Sequence, residues 1–165
     1  MIKVFKTLKR ISLRSFWVLT KLCLRFPFFV FPTLSATKQC MSLSTELYGR
    51  LHYKNGPANA FRHAFWNYLI AKKCFSWKKK EDRVLIWTKK ITDWHENAFP
   101  NFELAKKMDL HNNEVGRLIF KEHFSKLENH VVDILREMTS KATKIDAQTD
   151  FTLVKNQLVY IIDNE

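Results

Sequence analysis

Residues 55–69 limit the fold more than any other stretch of the chain. Asn55-Gly56-Pro57 stops one element and starts another. Glycine suits a helix end, and proline suits the first helical position, where its missing N–H costs nothing. On the helical period that follows, Asn59, Arg62, His63, Trp66 and Asn67 fall along one stripe, flanked by Phe61, Phe65, Tyr68 and Leu69. A polar row among bulky aromatic residues fits neither a solvated surface nor an apolar core. It fits a half-buried helix whose polar groups meet partners on neighbouring helices, either as a site or as structural hydrogen-bonders.

The rest of the chain supplies those neighbours. Three glycines and four prolines in 165 residues leave few turns, so long helices are favoured over many short strands. Apolar stripes predict helices over 38–53 (Cys40, Leu43, Leu47, Leu51), over 59–75, and over 83–98 (Val84, Trp87, Ile91, Trp94, Ala98), the last stopped by Pro100. Further helices are predicted over 102–110, 112–139 and 150–162. No internal repeat and no convincing alternation of a strand interrupts this pattern. The reading is an all-α protein: a single multi-helix domain over 37–165 with a basic amphipathic arm over 1–36.

The arm is set apart by charge. The chain carries a net charge of +12, yet residues 1–40 hold eight Lys and Arg and no acid, leaving +4 for the other 125 residues. Over 2–26, Lys3, Lys6, Arg10, Arg14, Lys21 and Arg25 share one helical face, and Val18, Leu19, Leu22 and Phe26 line the opposite one. That pattern predicts a helix lying on an anionic membrane surface. No uncharged run reaches the ~18–20 residues of a spanning helix. Lys21, Arg25, Pro27 and Pro32 interrupt the apolar region a cleaved signal would need, so peripheral attachment at the cytoplasmic face is preferred to secretion. Nucleic acid is not expected as a partner, because the basic stripe alternates with aliphatic residues that phosphate cannot use. Cys23, Cys40 and Cys74 are odd in number and lack CxxC spacing, which suits small apolar residues in a reducing compartment. The oligomeric state is left open.

Three segments carry polar chemistry. The first is the Asn59–Asn67 stripe. The second is Trp94-His95-Glu96-Asn97, where a regular helix sets His95 beside the buried stripe and turns Glu96 away. The third is Met108 to Arg117, where Asp109, Asn112, Asn113 and Gly116 share a face with Arg117 beside them, unless Asp109 is simply a helix cap. Two histidines and one or two carboxylates from three helices suit a divalent metal, although neither HExxH nor HxxxH occurs. They equally suit a histidine base oriented by a carboxylate. No Ser or Cys stands in these motifs as a nucleophile, so water is the expected attacking group. Arg62 and Arg117 suit an anionic substrate. His52, His123 and His130 are read as surface residues.

Asn-Ala-Phe-Arg-His-Ala-Phe-Trp from Asn59, then His95-Glu96, then Met108-Asp109-Leu110-His111-Asn112-Asn113-Glu114-Val115-Gly116-Arg117, together resemble one family of uncharacterised bacterial proteins, catalogued as a domain of unknown function. The resemblance spans roughly 37–120 and implies one site built from Asn59, Arg62, His63, Trp66, His95, Glu96, Asp109, Asn112, Asn113, Gly116 and Arg117. It is the resemblance, against the helix geometry, that retains Glu96. Arg62-His63-Ala64-Phe65-Trp66-Asn67-Tyr68 is also similar to the Arg-His-Asp-x-x-Tyr helix of small bacterial phospholipases A2. Ala64 replaces the calcium-binding Asp of that helix and no glycine-rich calcium loop is present, so the activity is not carried over.

The expectation is therefore a membrane-surface helical protein with a His/carboxylate/Arg site, a hydrolase acting on an anionic or lipid-derived substrate. The alternative is a non-catalytic membrane-associated scaffold or binding protein whose polar motifs are structural. In the first reading His63, His95 and Asp109 converge on one pocket, with Asn59, Asn113, Arg62 and Arg117 around them.

Overall fold

The computed structural model describes residues 12–99 and 101–162, and its elements are six α-helices and two very short strands. The helices are α1 (Leu13–Arg25), α2 (Pro27–Tyr48), α3 (Pro57–Trp77), α4 (Glu81–Ala98), α5 (Glu103–His123) and α6 (Glu128–Ser140). A single 3₁₀ turn, Leu51–Tyr53, joins α2 to α3. Strands β1 (Thr143–Lys144) and β2 (Val159–Tyr160) pair in parallel. The all-α reading holds. Residues 2–11 of the expected arm and the stop at Pro100 lie outside the described residues.

The α3 helix is the axis of the bundle. It packs against α2, α4, α5 and α6, and most of its residues are buried. Pro57 takes its first turn as expected, but Gly56 sits at its N-cap with φ −80 rather than ending the preceding helix. The terminator is Gly49 at φ 56, a left-handed backbone that closes α2 seven residues earlier than Gly56 would. His52, expected on the surface, is fully buried and shares a hydrogen bond with Thr45 Oγ1 at 3.0 Å.

Three further expectations are corrected. The α2 helix begins at Pro27 and continues through Pro32, so the prolines start a helix instead of breaking one. Phe26 and Phe29, at its start, pack on the Trp87 ring with centroids 5.5 and 6.1 Å away. Helix α5 passes without interruption through His111, and the break falls instead at the turn before Glu128. The segment expected as a last helix over 150–162 is turns followed by β2. Its apolar residues Val154, Val159 and Ile161 form a small second core with Ala105 and Met108 of α5. The spacing resembled a helical stripe because both structures can bury such residues against one helix.

Candidate functional site

Helices α3, α4 and α5 each deliver one side chain to a buried polar cluster: His63, Glu96 and Asp109 are 3%, 6% and 6% exposed. His63 Nδ1 lies 3.5 Å from Glu96 Oε1, and His63 Nε2 lies 3.3 Å from Asp109 Oδ1. The imidazole is thus held with a carboxylate at each ring nitrogen.

Glu96 reaches the cluster on a regular helix, contrary to the geometric expectation. Two sides of α4 are covered, and Thr88, Thr92 and Glu96 form an inner stripe one turn apart. Thr88 and Thr92 are tolerated there because each hydroxyl donates to the carbonyl four residues back, at 2.9 Å in both cases. His95, expected to point inward, lies to one side. It packs edge-on to Trp66 at 5.1 Å and against Phe99 at 4.9 Å.

Asn113 and Asn67 wire the cluster together. Asn113 Nδ2 donates to Glu96 Oε1 at 2.9 Å, which leaves its Oδ1 to accept from Asn67 Nδ2 at 2.6 Å and from His63 Nδ1 at 3.2 Å. Asn67 Oδ1 accepts from Arg117 Nη1 at 3.0 Å and from Thr92 at 3.2 Å. Asn67 also donates to the His63 carbonyl at 3.1 Å. The sequence placed Asn67 on the polar stripe without assigning it a role; its position one turn after His63 was the available signal. Thr92 carried no signal.

The other expected site residues divide. Arg62 Nη2 lies 2.7 Å from His63 Nε2. Trp66 is fixed by donation from Nε1 to Thr37 Oγ1 at 2.8 Å. The structure does not bring Asn112 to the cluster: its amide donates to the Val159 carbonyl at 2.8 Å and accepts from the Val159 N–H at 3.0 Å, pinning β2 to α5. Asn59 is buried, and its Oδ1 has no hydrogen-bond partner among the described residues.

A cavity of about 220 Å³ opens onto this arrangement, lined by Thr37, Cys40, Met41, Arg62, His63, Trp66 and His95. Cys40 supplies no nucleophile, because burial pushes its thiol up to about 12. Glu96 and Asp109 stand behind His63, outside the cavity wall.

Burial works against charge on His63, but Asp109 and Glu96 overcome both burial and the nearby Arg62, and its pKa is raised. Burial also opposes ionisation of Glu96, yet contacts with His63, His95 and Asn113 lower its pKa to about 2. Burial raises Asp109, and Glu96 adds to the effect against His63 and Arg62. Burial lowers His95.

Two chemistries fit. His63, Glu96 and Asp109 each offer one ligand atom, all within 4.8 Å of one another, close enough to share a divalent cation. However, Arg62 already places a positive charge against His63 Nε2. Two carboxylates balanced by Arg62 and a proton on His63 need no further cation. Proton transfer at Nε2 is therefore the better match: the neutral nitrogen accepts from Arg62, and the protonated one donates toward Asp109.

No curated protein and no solved structure matches the chain. A family model described as "Domain of unknown function (DUF6973)" matches residues 20–143, a span that takes in α2 to α6 and every residue of the polar cluster, and the chain belongs to that family.

Proposed function

We propose that the chain is a hydrolase for esters that carry a negative charge, with His63 as the general base. One observation carries this reading: an imidazole flanked at both ring nitrogens by buried carboxylates lines a cavity beside an arginine. Neutral His63 is oriented by donation from Nδ1 to Asn113 and takes a proton from water at Nε2. Asp109 Oδ1, 3.3 Å away and without any other hydrogen-bond partner among the described residues, stabilises the imidazolium that forms. Glu96 does the same from the opposite edge. The single lone pair of Nε2 cannot accept from Arg62 and from water together, so the guanidinium turns from it to the substrate anion before the proton moves. The proton then passes to the leaving group. Trp66, Met41 and Cys40 provide an apolar wall for the remainder of the substrate.

The test is a panel of chromogenic phosphate and carboxylate-bearing esters assayed with His63→Gln and the parent chain. General base catalysis typically contributes ~10²–10⁴-fold, so in His63→Gln a loss of that order, larger than any fall in folded fraction explains, is expected. Absence of turnover across the panel, with a lower melting temperature for His63→Gln, would favour a scaffold in which the cluster only locks helices together.

A further inference from the structure

We infer that the elbow between α1 and α2 is a docking surface for an anionic lipid bilayer. The proposal is independent of the chemistry at His63. It rests on how α1 divides into three sectors.

One sector is buried. Leu22 and Phe26 enter the core and Leu19 packs against it, so that part of the aliphatic face that the sequence assigned to the membrane is spent on the domain, while Val18 stays exposed. Donation from Trp94 Nε1 to the Ser15 carbonyl at 2.9 Å holds α1 on α4. A second sector is apolar and exposed: Leu13, Phe16, Trp17 and Leu24 lie on the side of α1 away from Leu22. Past the elbow, Phe28, Phe31 and Leu34 of α2 are exposed as well. Leu13, Leu24 and Phe31 are 82%, 76% and 72% exposed, too much apolar surface on neighbouring turns to be incidental. The third sector is basic, formed by Arg14, Lys21 and Arg25. Beside it, α1 and α4 enclose a groove of about 720 Å³ that adds Lys90. Asp93 is the carboxylate in that groove, and it is paired with Lys89.

Charge complementarity selects the occupant. The first acidic residue of the sequence is Glu46, so α1 and the first half of α2 bring cations and apolar groups to the elbow and no carboxylate. Aromatic and aliphatic residues bordered by long cationic side chains match the boundary between acyl chains and anionic headgroups. A second copy is a poor fit, since a symmetric contact would set two basic sectors against each other. Nucleic acid would leave Leu13, Leu24 and Leu34 without partners. None of the described helices is by itself long and apolar enough to cross a membrane; α1 and α2 are so only together, and that pair is bent by 113°. That bend is held by the packing of Phe26 and Phe29 on Trp87, so the surface is preformed. The α2 stripe carrying Leu34 continues through Thr37 and Met41 to the rim of the His63 cavity, which puts a docked bilayer beside its mouth.

The experiment floats the full chain with vesicles of phosphatidylcholine alone or mixed with phosphatidylglycerol. Binding to the mixed vesicles that weakens with salt is expected. Phe16→Gln with Trp17→Gln, and separately Leu24→Gln with Phe31→Gln, should weaken it about tenfold or more. Arg14→Gln with Lys21→Gln should remove the preference for the anionic mixture. All six positions are exposed, so the melting curves should not move. Unchanged binding by both apolar pairs would overturn the proposal. So would failure to bind either vesicle, whether the same pairs then disrupt a dimer or abolish binding to a nucleic acid.

Discussion

Gly116 of α5 lies directly on the backbone of Ala64 in α3. A Cβ at Gly116 would stand 2.1 Å from the Ala64 carbonyl oxygen and 2.8 Å from both its carbonyl carbon and its Cα. No side-chain rotation relieves contact with a backbone, so the two helices approach this closely only because position 116 is glycine. The contact fixes the site, because Ala64 follows His63 and Gly116 lies between Asn113 and Arg117. Gly116→Ala must push α3 and α5 apart, at about 1–3 kcal/mol for overpacking. For a chain of this size the melting temperature should fall by roughly 2–12 °C, with the larger loss in any activity that needs the His63–Asn113 contact. A calorimetric scan beside an activity assay measures both, and an unchanged melting temperature would contradict the packing.

Asn67 should behave as a structural hub. Asn67→Leu takes the acceptor from Arg117 Nη1 and one of the contacts from Thr92 and from Asn113, and leaves the His63 carbonyl without the Asn67 amide. Unsatisfied buried groups cost about 1–3 kcal/mol each, more when charged, so the variant should be among the least stable single substitutions in the chain. Urea titration gives the comparison. Trp66→Phe, which loses one hydrogen bond to Thr37, should cost far less.

The pH dependence of stability should carry the signature of Glu96. Its pKa is lowered from 4.5 to about 2 in the fold, so its contribution is complete above 4.5 and is lost as pH falls toward 2. By linkage that is worth roughly 3 kcal/mol. His63 is raised above 6.5, so its contribution is complete below 6.5 and is lost as pH rises through the folded value. Asp109 is raised and acts in the opposite sense to Glu96. The clean measurement is therefore the difference between the parent and Glu96→Gln, in which titrating groups that do not interact with Glu96 cancel. That difference should be large between pH 5 and 6 and should shrink steadily on acidification. A difference independent of pH would show that Glu96 is not ionised against His63.

Asn112 should separate the second core from the site. Asn112→Ala removes both hydrogen bonds to Val159 and should speed amide exchange across β1 and β2. The expected cost is about 1–3 kcal/mol, with the His63 cluster left intact. Loss of activity beyond what the loss of stability accounts for would instead tie Asn112 to substrate binding.

The helical character and the need of the α3 polar row for buried partners were legible in the chain. Periodic apolar stripes leave few alternatives to helices when turn residues are scarce, and a row such as Asn59, Arg62, His63 and Asn67 must find polar partners once its flanks are buried. Which partners it finds is a matter of packing. Glu96 faces His63 because α4 is covered on two sides, a fact of neighbouring helices that one helix's periodicity cannot express. Asn112 and Asn113 adjoin in sequence, yet a 100° rotation per residue sends one to β2 and the other to His63. The apolar face of α1 was read correctly as a face, but the domain claimed it and left Leu13, Phe16, Trp17 and Leu24 exposed instead. Local pattern specifies which residues will be buried together; the assignment of each face to a particular neighbour comes only from the tertiary contacts, because several helices compete for the same surface.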